Sequence, residues 1–418
     1  MMSVEGPLIA ASIARMAQPK ENLAAYGIAF AFALIIEAPV IMMLSASTAL
    51  VKDRQSFFKL KSFTYWLNGL ITAAMLLLLI PAVFNSILLG LMGIDETVVK
   101  LTYPSLFILL IWPGAIGYRR FYQGILIRYG YTRRVAYGTV IRLLSMATTV
   151  VLIYQIKMIP GAYLGAAALS VGVTFEAIAS RIMAGQALKK IYKQTVNEPY
   201  NEPLNYSNIT KFYYPLALTS LLGLVLQPAL TFFMGQGNFS LESLAVWPVV
   251  NSFVFIFRSF GLSYQEVAIS LMGDCGENYK KLKHFAQVVA GFVSGSLGII
   301  SLTALIFWWM HDISGLQPSL AAFSYAPVKV LIIMPALSVW ISFQRAVLVV
   351  SRNTSPITTA TAIEVSLAII IMFYVVFYSP LSGVLGASIA LLFGRSGSIA
   401  YLLPKIFKAR AKLAENNS

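Results

Sequence analysis

Residues 66–91 read WLNGLITAAMLLLLIPAVFNSILLGL. A helix rises 1.5 Å per residue and the hydrocarbon core of a bilayer is roughly 30 Å thick, so about 20 mostly apolar residues span it. Trp66 to Leu91 meets that length, and so does Ile357 to Tyr378. Runs of this kind recur along the whole 418-residue chain and leave no long polar stretch for a soluble domain. Composition agrees: 58% of residues are hydrophobic and 11% charged, with a mean hydropathy of +0.76. Soluble domains carry roughly 25% charged residues.

The expected fold class is all-α integral membrane. Hydropathy places twelve spans, at 1–16 (incomplete), 23–50, 64–91, 103–127, 135–156, 162–186, 213–234, 243–272, 285–310, 325–350, 357–378 and 383–404. The net charge of +15 raises the question of nucleic acid. Its placement answers it, because the basic residues sit in short loops between apolar runs. One set of alternate loops holds Lys52, Arg54, Lys59 and Lys61, then Arg128, Arg133 and Arg134, then Lys189, Lys190, Lys193 and Lys211. The same set goes on with Lys280, Lys281 and Lys283, Arg352, and Lys405, Lys408, Arg410 and Lys412. The other set holds Lys20, Lys100 and Lys157. The positive-inside rule puts the first set, and both chain ends, in the cytoplasm of a multi-pass protein of the inner (plasma) membrane. No nucleic-acid partner and no cleavable signal peptide are expected; the partners are membrane lipids and a small-molecule substrate, and the chain is read as monomeric. A single cysteine, Cys275, excludes an internal disulfide, and two histidines, His284 and His311, at loops or helix ends argue against a histidine metal site.

A repeat runs through the chain at an offset of 221–222. Pro7, Glu21, Leu23, Ala24 and Asp53 match Pro228, Glu242, Leu244, Ala245 and Asp274. Tyr103, Pro113, Phe121 and Thr132 match Tyr325, Pro335, Phe343 and Thr354, and Leu164-Gly165-Ala166 matches Leu385-Gly386-Ala387. Leu and Ala coincide cheaply in apolar sequence; Pro, Glu, Asp and Tyr on one register do not. Six spans per copy give both halves the same orientation, so two six-helix bundles related by a pseudo-two-fold along the membrane normal are expected. The expected division is 1–187 for the N-terminal lobe, 188–211 for a cytoplasmic linker, 212–405 for the C-terminal lobe and 406–418 for a basic tail. The register also shortens the first span: about fifteen residues precede Pro228 in its helix, and six precede Pro7. The expectation is a true N-terminus upstream of Met1, or a truncated gene.

Ionisable residues inside spans are costly and are functional candidates. Glu37 and Arg258 occupy pseudo-equivalent mid-span positions, as a coupling or substrate site or as a structural pair. Arg142 matches Glu364 at offset 222, and Glu176 and Arg395 lie at comparable depth. Structural ion pairs Arg142–Glu176 and Glu364–Arg395 are expected, because a lone buried charge costs several kcal/mol. Arg119, Arg120, Gln123, Arg181 and Arg345 sit in the cytoplasmic half of spans, where arginine can snorkel. Arg119 and Arg345 are marginal for that. Glu266 suits a cavity, and Glu5 suits a protonatable site, since a carboxylate in a low dielectric can hold a proton. The pathway candidates are thus Glu5, Glu37, Arg258, Glu266, Arg119 and Arg345. No cofactor is expected beyond H⁺ or Na⁺ as coupling ion.

Two six-helix halves with Glu-x-Leu-Ala after the first span of each resemble the multidrug and toxic compound extrusion (MATE) transporters and their wider flippase superfamily. Within it, Glu5, Glu21, Leu23, Ala24, Tyr26 and Gly27, with Tyr214-Pro215-Leu216-Ala217-Leu218, Pro228 and Leu385-Gly386-Ala387, resemble the progressive ankylosis protein family. The resemblance implies export by alternating access. MATE members drive organic cations out with H⁺ or Na⁺ gradients through an Asp in the first span, which this sequence lacks. The ankylosis family implies small anions such as pyrophosphate or citrate. The expected function is a secondary active exporter of xenobiotics or of such anions. A flippase for a lipid-linked precursor is the alternative. A non-transporting membrane receptor or an enzyme is the alternative of another class; the lack of a histidine cluster, Walker-type loop or carboxylate-rich metal set counts against an enzyme.

Overall fold

The computed structural model describes residues 5–156, 159–193, 205–272, 276–351, 353 and 355–415; within these, the side chains of 215, 216, 219, 266, 270 and 410–415 stand outside the description. Lys157, Asp274, Cys275, Arg352, Thr354 and most of the expected linker (194–204) lie outside the described residues.

The first half of the chain forms α1 (Glu5–Ala14), α2 (Pro19–Ile41), α3 (Met43–Leu50), α4 (Arg54–Leu78), α5 (Pro81–Asn85), α6 (Glu96–Ile108), α7 (Trp112–Arg128), α8 (Thr132–Ile156), α9 (Gly161–Met183) and α10 (Gly185–Lys193). The second forms α11 (Tyr206–Leu224), α12 (Leu226–Gln236), α13 (Ser240–Leu271), α14 (Tyr279–Leu302), α15 (Leu305–Phe307), α16 (Pro318–Val330), α17 (Met334–Val350), α18 (Ser355–Tyr378) and α19 (Gly383–Glu415). Among the described residues nine helices are long and apolar enough to cross a membrane; a tenth counts if Arg54–Leu78 and Pro81–Leu91, bent by 67°, are one span. The protein is therefore an all-α, multi-pass membrane protein. Two features separate this count over the described residues from the twelve spans expected from hydropathy. The bend falls at Pro81, which has no N–H to continue α4, and at Ile80, whose backbone is extended. The run at 1–16 is described from Glu5 onward, as α1, and the run at 213–234 falls on α11 and α12, which part at Val225.

The irregularities repeat on the register read from sequence. Among the described residues the two non-glycines with positive φ are Gln18 (49°) and Phe239 (54°), each capping the helix that follows. π-Helical turns occur at Ser86–Leu91 and Trp308–Ile313, and 3₁₀ turns at Leu109–Ile111 and Leu331–Ile333. Gly93 and Gly315, at φ 63° and 72°, end the two π turns. A left-handed non-glycine residue costs about 1–2 kcal/mol, so its recurrence marks a turn that each half requires. In the first half Asn22 holds that turn: its Nδ2 donates to the carbonyls of Ala17 and Gln18, both at 2.9 Å, and its Oδ1 accepts from Ala162 N–H at 2.9 Å. In the second half the Gly383 N–H donates to the Asn238 carbonyl at 3.2 Å. Both halves thus tie the start of one long helix to the start of their last.

Two compact units emerge: Met1–Glu5 with Met16–Pro228, and Gly6–Arg15 with Ala229–Ser418. The change of unit thus falls at Pro228, whereas the sequence places it in 188–211. The reason lies at the end of α2, whose last carbonyls have no intrahelical donor. The Tyr213 hydroxyl donates to the Pro39 carbonyl, and the Ser220 hydroxyl to that of Ala38 at 2.7 Å, which holds α11 on α2. The expected linker begins as α10, with Ala187, Leu188 and Ile191 buried, and the expected basic tail continues α19 to Glu415. In the first unit α4 starts with a capping box: Ser56 N–H donates to Asp53 Oδ1 at 2.8 Å, and Asp53 N–H to Ser56 Oγ at 3.0 Å. In the second, Arg15 donates to the carbonyls of Asp312 (2.5 Å) and Ile313 (2.7 Å), closing the end of the π turn.

Glycines set the closest helix approaches. A Cβ on Gly261 of α13 would stand 2.8 Å from the Ser338 carbonyl carbon and the Val339 nitrogen of α17, backbone atoms that cannot yield, whereas one on Gly291 of α14 meets nothing within 4 Å. Gly261→Ala should therefore destabilise by about 1–3 kcal/mol, while Gly291→Ala is neutral or slightly stabilising. Thermal unfolding of both purified variants in one detergent checks this; equal melting temperatures would refute the contact.

Candidate functional site

The first unit concentrates charge where its helices are most apolar. The 3₁₀ turn at Leu109–Ile111 and Pro113 set the start of α7, which carries Arg119 and, one turn on, Gln123. Arg142 lies on α8 and Glu176 on α9. Glycines let α8 and α9 close: a Cβ on Gly172 would run into Met146, and one on Gly138 would touch Glu176 Cγ at 3.5 Å. Glu176, with no exposed surface, accepts from Arg119 Nη1 and from Gln123 Nε2 at 3.0 Å, and lies 3.7 Å from Arg142 Nη1. Arg142 Nη2 makes its shortest ion pair with Glu5, at 2.6 Å. Glu5 and Arg142 are each 7% exposed and Arg119 2%, so the network is shielded from solvent.

It is incompletely satisfied. Glu5 Oε1 and the Nε atoms of Arg119, Arg120 and Arg142 are buried with no hydrogen-bond partner among the described residues. Glu37, 5% exposed on α2, has the same orphan status at Oε2; Arg119, Arg120 and Arg142 are the cations in its electrostatic range. Buried polar groups are almost always bonded, so five unpartnered atoms around one cluster set it apart from a closed network of ion pairs. The cluster balances three carboxylates, Glu5, Glu37 and Glu176, against three guanidiniums.

The second unit has another balance. Arg395 Nη2 lies 2.8 Å from Glu364 Oε1. Close packing of α18 on α19 allows it, since a Cβ on Gly394 would stand 2.7 Å from the Glu364 carbonyl oxygen. Arg345 Nη2 donates to Thr361 Oγ1 at 3.2 Å, and Arg258 Nε reaches Ser338 Oγ at 3.4 Å. Both arginines have Arg395 and Glu364 as their charged neighbours. Gln344 Oε1, Ser398 Oγ, Arg345 Nε and Arg395 Nε are buried without partners among the described residues. Among the described side chains, three arginines therefore share one carboxylate. Glu266 sits on α13, and its side chain lies outside the described residues.

The expected residues are thus sorted by unit. Glu37 has its charged neighbours among Arg119, Arg120 and Arg142, and Arg258 among Arg395 and Glu364. The expected Arg142–Glu176 pair is one edge of a larger network, in which Arg119 and Gln123 are the closer partners of Glu176 and Glu5 that of Arg142. Sequence depth alone misses this, because Arg119 and Glu5 have no charged counterparts on the repeat register. Gln123, by contrast, is the register partner of Arg345, a signal that both belong to the buried polar layer. Among the described residues no three of His, Cys, Asp and Glu are grouped to hold a metal ion.

No family model matches the chain, and no curated protein matches it by sequence. Solved structures match in fold. An inward-facing multidrug resistance MATE family transporter of the MOP superfamily aligns with a TM-score of 0.73 at 15% identity, covering 99% of this chain and 96% of that one. The lipid II flippase MurJ, in an inward closed conformation, gives 0.72 at 15% identity over 99% and 88%. A MOP superfamily transporter from Pyrococcus furiosus, described as having a binding pocket of reversed polarity that suggests a different function, gives 0.57 at 15% identity over 100% and 95%. The fold is that of the MATE/MOP superfamily of transporters. These matches concern the superfamily and do not single out the progressive ankylosis protein family.

The two charge clusters respond differently to reversal. Glu364→Arg with Arg395→Glu should regain the folded yield lost in either single variant, since each is the other's ion-pair partner within 4.0 Å among the described residues. Arg142→Glu with Glu176→Arg should not, because the swap sets a new carboxylate against Glu5 and a new guanidinium against Arg119. Each single reversal is expected to cost about 3–5 kcal/mol. Monodisperse yield after detergent extraction reads the outcome; full recovery in the Arg142→Glu, Glu176→Arg double variant would refute the shared network.

Proposed function

We propose that this chain is a secondary active transporter that exports a small solute by alternating access, coupled to H⁺ or Na⁺. The observation that carries the reading is the incompletely bonded charge cluster in the first unit, on a fold shared with MATE transporters. A purely structural network would gain most from satisfying every atom. Here Glu37 Oε2 and Glu5 Oε1 are buried and unbonded among the described residues. A proton or Na⁺ arriving at either carboxylate removes one negative charge facing Arg119, Arg120 and Arg142, and releases those arginines to other partners. A ligand shifts a two-state equilibrium only through such a difference in interaction between the states.

The second unit bears on the substrate. Arg258, Arg345 and Arg395 against Glu364 leave surplus positive charge, which suits a small anion such as pyrophosphate or citrate better than an organic cation. Planar guanidiniums bind carboxylate and phosphate oxygens in pairs. A flippase for a lipid-linked precursor is the second reading, favoured by the fold likeness to MurJ. In either case the chain works as a monomer in the inner membrane, with lipid as its solvent.

Inverted vesicles with imposed proton or sodium gradients test this, against a panel of citrate, pyrophosphate and organic cations. Gradient-dependent anion uptake is expected, with Glu37→Gln abolishing the gradient dependence and Arg258→Gln abolishing uptake. Flux indifferent to both gradients would remove the coupling claim, and uptake of cations alone would remove the anion claim.

A further inference from the structure

A groove on the first unit is unrelated to the buried charges. It is an open cavity of about 470 Å³ built from α4, α7 and α9. Helix α7 is its floor and packs against both neighbours. Each helix contributes one face at helical spacing: Asn68 and Thr72 from α4, Gly114 and Tyr118 from α7 with Ile111 from the 3₁₀ turn before it, Thr174 and Ile178 from α9. Ile111 and Ile178 are 63% and 51% exposed. In a spanning helix, such side chains face hydrocarbon, so the groove opens to lipid.

The same three faces continue into a tyrosine and cation belt. On α4 the next residue along the face is Tyr65, whose ring stacks on Tyr118 with centroids 6.3 Å apart and planes at 2°. Tyr118 lies 4.8 Å from Tyr122, and the Arg181 guanidinium sits 5.3 Å over the Tyr122 ring. Lys61 Nζ stands 5.4 Å over Tyr65. Neither Lys61 nor Arg181 has a carboxylate within 4.0 Å among the described residues. Both lie near helix ends that lead to lysine- and arginine-rich loops. The face of α7 from Ile111 to Tyr122 runs about 16 Å, close to one leaflet of a roughly 30 Å core.

We propose that this groove is a binding site for one anionic phospholipid. An acyl chain lies over Gly114, where no side chain fills the floor, and the phosphate meets Lys61 and Arg181 within the tyrosine belt. Tyrosine is at home at that depth, where its ring is apolar and its hydroxyl wet. Charge complementarity selects the occupant, since two cations without a described carboxylate flank the open end of an apolar channel. Thr72 lines the groove and offers a hydroxyl donor to a glycerol ester carbonyl.

Native mass spectrometry of the full chain, from micelles holding equal phosphatidylglycerol and phosphatidylcholine, tests the site. The wild type is expected to retain one phosphatidylglycerol with about tenfold preference. Lys61→Gln with Arg181→Gln should abolish the preference. Gly114→Leu should abolish retention; its Cβ meets only Thr72 Oγ1, at 3.7 Å, so the variant has room to fold. Equal retention of both lipids by the wild type, or unchanged preference in the double variant, would overturn the proposal. So would unchanged retention by a monodisperse Gly114→Leu protein. Should Gly114→Leu aggregate, the double variant decides alone, because it leaves the groove floor untouched.

Discussion

Every backbone N–H and C=O in hydrocarbon needs a partner from the chain itself, and this one constraint organises the fold. Helices satisfy it along their length, so the architecture is decided where helices stop. At several of these stops a specific group takes over. Tyr213 and Ser220 serve the last carbonyls of α2, Asn22 serves the turn before it, and Arg15 closes the π turn at Ile313. The recurrence of left-handed, π and 3₁₀ turns on a single register follows from the same demand. A break, once provided with partners, is easier to duplicate than to relocate.

Much of this is legible in sequence. The apolar runs locate the long helices, and the offset of 221–222 anticipates paired breaks as well as paired prolines. Hydropathy fails at Ile80–Pro81, where an unbroken apolar run hides a 67° bend. It fails there because bilayer transfer scores composition, while direction depends on φ and ψ at one or two residues. The charges fail in a related way. Depth along a span groups Arg142 with Glu176, but depth carries no azimuth. Only the faces of α7, α8 and α9 decide that Arg119 is the nearer partner.

The two units show how duplication diverges. Arg142 and Glu364 are register partners of opposite sign, and Gln123 is matched by Arg345. The first unit has gathered as many acids as bases, with Gln123 sharing Glu176. Among its described side chains the second sets one carboxylate among three arginines, each steadied by a hydroxyl or an acid. One scaffold thus carries a charge-balanced interior and a cationic one, changed by a handful of side chains while the backbone breaks stay in place.

The reach of the Arg142 network has a consequence for biosynthesis. Glu5 and Arg142 are 137 positions apart, and Glu176 comes later still. Once α8 has left the translocon its arginine can meet Glu5, but the carboxylate that holds Arg119 reaches the membrane only with α9. Insertion is then a waiting game in which early helices stay near the protein-lined exit until α9 arrives. The first unit becomes a finished object only with its last helix, and a chain whose α9 has not entered the membrane leaves Arg119 there without its carboxylate, at a cost in free energy.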